Sequence, residues 1–288
     1  MLAYTLLAAA LATGLSAQRA FGQAVAPPTP DVQISGEYGP FLPTDVSEHG
    51  YQIDRLIHVM HWFMGVLFVG WGVFFMYCLI RFRQRSGHLA SCDLIKAKPS
   101  KYSEIGVAIF EAVILVGFAM PVWASVKLDL PKPEDNPARV RVLAEQFAWN
   151  FHYPGADGKY GKIGPQFVNT ATNPLGLDPS DPDGQDDVYS GELHLPVGRA
   201  AIAEISSKDV IHSFFIPVLR VKQDAIPGMR IPVWFKPKKD GAGTYEVACA
   251  QLCGNNHYSM RALLYLESEE KFNAWMAEKS APPEEFED

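Results

Sequence analysis

The chain has 288 residues, 48% of them apolar, which excludes a largely disordered protein and leaves room for one substantial domain plus additional segments. Its formal net charge of -7 argues against a nucleic-acid partner, which a basic surface would serve, and in favour of a basic protein partner. The four cysteines are too few and too unevenly placed for a secreted disulfide framework.

Taken in chain order, residues 1–24 have an apolar stretch, Leu2 to Leu15, and a small-residue end at Gly22-Gln23-Ala24, the pattern of a secretory signal peptide without its usual charged start. A Pro-rich linker follows within residues 25–55. Residues 56–126 read as a transmembrane hairpin. Its first helix, about 56–82, has a charge-free core from Leu56 to Ile80 that exceeds the ~20 residues needed to span hydrocarbon. A second run, about 104–126, has the same reach and ends near Pro121 and Trp123. Between them, at about 83–103, lies a loop crowded with Arg83, Arg85, Lys96, Lys98 and Lys101. The positive-inside rule keeps that loop cytoplasmic and puts everything after about Lys127 outside.

From residue 127 to 280 the pattern changes to short strand-like runs: Val140 to Phe151, Gly191 to Leu195, Ala200 to Ile205, Ile231 to Phe235, Thr244 to Ala248 and Ala262 to Leu266. Their spacing predicts an all-β sandwich or barrel. Ser268, followed by Glu269 and Glu270, marks the start of a short C-terminal helix running through Trp275, and residues 281–288 form an acidic tail. The segment Gly155 to Asp187 carries Asp178, Asp181, Asp183, Asp186 and Asp187; without a calcium-hand pattern it reads as a solvated acidic loop that could attract a basic donor. His58 and His61, with Met60, offer too few strong ligands for a metal and read as interfacial packing.

The chemistry concentrates in Cys249-Ala-Gln-Leu-Cys253-Gly-Asn-Asn-His257-Tyr-Ser-Met260. Thiolate and thioether sulfur are soft and, with imidazole, favour copper. A mononuclear blue site needs one thiolate, so the second cysteine points to two bridged ions, with His212 as the further imidazole from a neighbouring strand. The competing readings are a Cys249–Cys253 disulfide, which leaves His257 and Met260 as coincidence, and zinc, for which thioether is an unusual ligand.

That block, with Asp209-Val-Ile-His212-Ser and Lys222-Gln-Asp224-Ala-Ile-Pro-Gly228, resembles cytochrome c oxidase subunit II from about Asp54 to Trp275. The resemblance implies a cupredoxin-like Greek-key domain behind the hairpin. It also implies a dinuclear copper A centre, with Cys249 and Cys253 bridging, His212 and His257 terminal, Met260 a weak ligand and the Gln251 carbonyl the last. Family members bind magnesium at the interface with subunit I through a glutamate at the position of Gln251; an amide is a weaker ligand for a hard cation, which argues against magnesium there. Phe147 stands where the family has its electron-accepting tryptophan, and Trp149 matches the second one. Glu104 matches the glutamate at the mouth of a cytoplasmic proton pathway, while the resemblance gives Glu111 no role.

By this resemblance the chain is the subunit that accepts electrons from cytochrome c or another small donor. It passes them to subunit I for reduction of oxygen to water, coupled to proton translocation, with subunit III as a further partner and the haems in subunit I only. The sequence has no Cys-x2-Cys-His haem motif. The expected location is a bacterial-type inner membrane, multi-pass, with the C-terminal domain periplasmic. The alternatives are the copper A subunit of a nitric oxide reductase, which shares the hairpin and loop, and a membrane-tethered copper delivery or storage protein.

Overall fold

The computed structural model describes residues 34–35, 42–87, 89, 98–169 and 172–280. The signal-peptide reading, residues 25–33 and 36–41 of the linker, Lys96 and the acidic tail lie outside the described residues.

Two apolar helices open the described fold. Helix α1, Gly50–Arg81, starts at Gly50 rather than at the apolar run itself, with His49 at its N-cap. The second run is one continuous helical stretch, Lys98–Lys127, built from α2 (Lys98–Ile114), a π-helical turn at Leu115–Ala119 and α3 (Met120–Lys127). The π turn precedes Pro121, whose missing N–H and bulky ring forbid the regular bond to the preceding turn. Both runs are long and apolar enough to cross a membrane, and none of either core window is buried within the chain. Trp62 is 77% exposed and Phe68 81%, which water would not tolerate in so continuous an apolar surface.

Among the described residues ten strands follow: β1 (Ala138–Glu145), β2 (Ala148–Tyr153), β3 (Val188–Ser190), β4 (Leu193–Pro196), β5 (Ala201–Ser207), β6 (His212–Ile216), β7 (Val221–Ala225), β8 (Ile231–Phe235), β9 (Gly243–Cys249) and β10 (Arg261–Glu267). They form two five-stranded sheets, ordered β3-β2-β1-β5-β8 and β4-β10-β9-β6-β7. Strand alternation supplies the core. Val140 and Val142 of β1 and Ala203 and Ile205 of β5 face inward from one sheet. Phe214, Ile216, Val247, Leu264 and Leu266 meet them from the other. Each fully buried large apolar side chain contributes about 1.5–3 kcal/mol. Helix α4 (Glu269–Ser280) closes one end, with Phe272 buried and the Trp275 ring 5.2 Å from Tyr153 and 4.0 Å from His194. The two apolar helices, the β-sandwich and the C-terminal helix are the architecture expected from the sequence.

Three local expectations are corrected. The run Val140 to Phe151 is two antiparallel strands, folded back between Glu145 and Ala148, because an aromatic-rich turn does not interrupt the apolar pattern. Strands β3 and β7 are not legible in the sequence, and β6 enters there only as the neighbouring strand that supplies His212. The acidic segment is not simply solvated: the Asp187 side chain is buried, its carboxylate 2.6 Å from His152 Nε2 and accepting the backbone N–H of Gly161 at 2.8 Å. Asp181, also buried, accepts the N–H of Lys162. These aspartates staple the insertion to β2 and to itself.

The hairpin is joined to the sandwich by polar clamps. Arg220 lies in the left-handed region just before β7 and donates to both oxygens of Asp54 at 2.7 and 2.9 Å and to the carbonyls of Pro43 and Pro217. Lys127 donates to Gln223 Oε1 at 3.0 Å.

Candidate metal centre

The candidate donors gather at one end of the second sheet. Strand β9 runs into Cys249, and β10 leaves from Arg261; the loop between them closes on itself through Cys249 N–H donating to Met260 C=O at 3.1 Å. Strand β6 lies beside β9 with Phe214 opposite Cys249. His212, two residues earlier on the same face of β6, is thereby brought beside the loop. Ala250 N–H donates to Ser213 C=O at 2.9 Å and fixes that juxtaposition.

The resulting distances are short. Cys249 Sγ lies 3.9 Å from Cys253 Sγ, 4.0 Å from His212 Nδ1 and 3.2 Å from the Gln251 carbonyl oxygen. Cys253 Sγ lies 3.7 Å from His257 Nδ1 and 3.7 Å from Met260 Sδ. His212, Cys253 and Met260 are buried, whereas the Gln251 side chain points into the exposed rim. All six residues singled out in the sequence therefore converge, Gln251 through its backbone. Cys249 and Cys253 are free thiols, not a disulfide.

Burial, reinforced by the neighbouring Cys249 sulfur, pushes the Cys253 thiol up to about 12. Two thiolates this close are unfavourable unless cationic charge is placed between them, so the pair suits a metal and not a free nucleophile. Soft sulfur, imidazole and a carbonyl dipole make a donor set that fits copper better than zinc.

Neighbouring groups orient the donors. His212 Nε2 donates to Asp209 Oδ1 at 2.9 Å, which leaves Nδ1 with its lone pair facing the sulfurs. Burial works against ionisation of Asp209, but hydrogen bonds from His212 and from the N–H groups of Gln146 and Val210 hold its carboxyl below the usual range. Gln146 also donates through its side chain to the Cys253 carbonyl. Gly254, at φ 144°, must lack a side chain: a Cβ there would fall 2.8 Å from Gln146 Nε2 and 2.9 Å from Phe147 Cζ. The β1–β2 turn thus packs directly on the donor loop. Gln146 went unnoticed in the sequence because glutamine in a turn carries no signal; Asp209 was visible only as part of a motif.

The aromatic residues occupy two levels. Trp149 is buried, 6.2 Å between ring centroids from His212 and 5.5 Å from Phe214, whereas Phe147 is half-buried against Gly254. Leu252 and Tyr258 are exposed around the same rim. Other sequence candidates stand apart from this cluster. Glu104 and Glu111 are exposed on α2, spaced to share a face. His58 and His61 each bond through Nδ1 to a carbonyl of their own helix, at Asp54 and Ile57.

A β-sandwich that carries a convergent sulfur and imidazole donor cluster at one end and is clamped to a pair of apolar helices at the other defines a tethered domain with a candidate metal site. Residues 139–266 match the family described as cytochrome C oxidase subunit II, periplasmic domain. The alternative cytochrome c oxidase subunit 2 of Bradyrhizobium diazoefficiens is 33% identical over 244 residues, covering 84% of this chain and 85% of that protein. Cytochrome c oxidase subunit 2 of Thermostichus vulcanus is 46% identical over 143 residues, 49% of this chain and 33% of its own length. A crystal structure of the periplasmic domain of subunit II of cytochrome oxidase from Bradyrhizobium japonicum is 26% identical, with a TM-score of 0.36, covering 49% of this chain and 92% of that one. The chain belongs to the cytochrome c oxidase subunit II family. It is accordingly a component of a haem-copper oxidase complex, anchored to the membrane by its apolar helices with a periplasmic domain.

Proposed function

We propose that this chain is the electron-accepting subunit of a cytochrome c oxidase, taking electrons from cytochrome c or a similar small donor at a dinuclear copper A centre and passing them to subunit I. The observation that carries the reading is the convergence of Cys249, Cys253, His212, His257, Met260 and the Gln251 carbonyl within a single cluster. Copper held by these residues would supply one-electron redox chemistry, shared between two ions.

The remaining contributions come from the chain. Cys249, Cys253, His212, His257, Met260 and the Gln251 carbonyl would hold the copper, the two thiolates and two imidazoles as its stronger donors and the thioether as a weaker one. The sheet, the Cys249–Met260 backbone bond and the Asp209 and Gln146 hydrogen bonds hold these donors, so little rearrangement would accompany a change of charge. Phe147 and Trp149 form the aromatic route inward from the rim, with Trp149 against His212. Magnesium binding through Gln251 is disfavoured by its amide and its exposed position. Glu104 is assigned to the mouth of a cytoplasmic proton pathway in subunit I. The length and apolar character of the two helices support a multi-pass chain in the bacterial inner membrane with the basic loop inside.

Purification of the native membrane complex tests the reading. Copper, haem and oxygen consumption with reduced cytochrome c should co-purify with this chain, and Cys253→Ser should abolish electron uptake while leaving the complex assembled. Undiminished uptake by that variant would exclude a route through this cluster.

A further inference from the structure

Where the hairpin meets the sandwich, a cleft of about 250 Å³ opens between the outer ends of α1 and α3 and strands β7 and β8. Ile53 and Leu56 of α1 and Val122 and Val126 of α3 line it with hydrocarbon. Lys127, Lys222, His49 and Trp234 also line it. This is the level at which two membrane-spanning helices leave the bilayer, so lipid headgroups are the natural surroundings.

The polar groups are unmatched in a way that points to a ligand. His49 is 8% exposed, and neither ring nitrogen has a hydrogen-bond partner among the described residues; the indole N–H of Trp234 is likewise buried and unpartnered. The two rings are in contact, with centroids 5.1 Å apart. Buried polar groups left without partners cost about 1–3 kcal/mol each, and both line the same cleft. Burial holds the His49 imidazole neutral against the pull of Asp45 and Glu48, leaving it one donor and one acceptor.

Positive charge at the cleft is only partly committed. The Arg220 guanidinium is matched by both oxygens of Asp54. The Lys127 ammonium has one neutral partner, Gln223, and Lys222 lies over the Phe215 ring at 4.6 Å with its side chain exposed. Neither lysine has a carboxylate partner among the described ion pairs. Two lysines beside an apolar wall and two buried polar groups complement a molecule with an anionic head, ester oxygens and a hydrocarbon tail.

We propose that this cleft binds one anionic phospholipid of the outer leaflet, its phosphate held between Lys127 and Lys222. Trp234 and His49 donate to its glycerol-ester region, and an acyl chain lies along Ile53, Leu56 and Val122. A free phosphate would leave the apolar wall unused, and a zwitterionic lipid would add a positive head to two lysines. The proposal rests on membrane anchoring alone and stands whether or not copper is bound.

Native mass spectrometry of the full-length chain in detergent, supplied with phosphatidylglycerol, phosphatidylcholine of matched chains, or inorganic phosphate, tests it. The expected result is one retained phosphatidylglycerol, preferred about tenfold over phosphatidylcholine and not displaced by millimolar phosphate. Lys127→Gln with Lys222→Gln should abolish the preference, Lys222→Gln alone, which leaves the Lys127–Gln223 clamp in place, should weaken it with the lipid-free melting temperature unchanged, and His49→Phe should weaken retention of both lipids. Equal retention of the two lipids, a preference that survives the double lysine substitution, or displacement by phosphate would overturn it. So would loss of the lipid in the intact complex, which would mark the cleft as a seat for a neighbouring subunit.

Discussion

Asp209→Ala isolates what orientation contributes to the donor cluster. Its Oδ1 accepts from His212 Nε2 at 2.9 Å, so the substitution removes a charge-assisted bond to a wholly buried imidazole. Such bonds contribute about 1.5–3 kcal/mol, and the one-third exposure of Asp209 places this one at the lower end. Roughly 1.5 kcal/mol corresponds to about tenfold weaker binding, the lower limit expected when a group supporting a metal ligand is removed. The N–H groups of Gln146 and Val210 also lose their acceptor, but both residues are exposed and water replaces it. Competition for copper between the full-length protein and a chelator of known affinity measures the effect. Asp209→Asn, which keeps an oxygen acceptor, should retain most of the affinity. Binding by the alanine variant within twofold of the parent would refute the reasoning and show that packing against Trp149 alone holds His212.

Other consequences are equally direct. Gly254→Ala should lower stability by about 1–3 kcal/mol, seen as a drop in melting temperature, because its Cβ collides with Gln146 and Phe147 at a φ that side chains avoid; an unchanged melt would mean that the β1–β2 turn yields freely. Asp54→Ala leaves Arg220, whose side chain is 6% exposed, without its anion and should cost about 3 kcal/mol in detergent unfolding, with Asp54→Asn milder. His194, stacked between Tyr265 and Trp275, has its pKa lowered by burial to about 4 from the usual 6.5. The unfolded chain therefore takes up this proton first, so its contribution to stability is full above pH 6.5 and is lost as pH falls toward 4. His194→Phe should flatten the pH dependence of melting over that window, and an identical slope would assign it to other groups.

The donor cluster was readable in the sequence because most of it is local: Cys249, Cys253, His257 and Met260 share one loop, and soft-ligand chemistry needs no tertiary information to recognise. His212 required only the inference that a neighbouring strand completes the set. Asp209 and Gln146 are different, since their value comes from the β1–β2 turn meeting the donor loop, a long-range contact between residue types common in any turn. The apolar helices announced themselves by length, whereas strand β7, Val221–Ala225, carries Lys222, Gln223 and Asp224 and lacks a clear apolar alternation. The aspartates of the 155–187 segment misled for a related reason. Composition suggests solvation, but Asp187 is consumed by His152 and by loop N–H groups that no sequence pattern connects to it.

In the proposed electron-accepting role, the Arg220–Asp54 clamp bears on the distance an electron would cross. A domain on a slack leash would sample many heights above the bilayer, and tunnelling, which decays exponentially with separation, would be dominated by rare close approaches. Pinned at Asp54 from the first helix and at Lys127 from the second, the sandwich holds its sulfur cluster at one altitude. Under that role the gap to an acceptor within the membrane would be a constant of the architecture, and the transfer rate a single value instead of an average over a swinging tether.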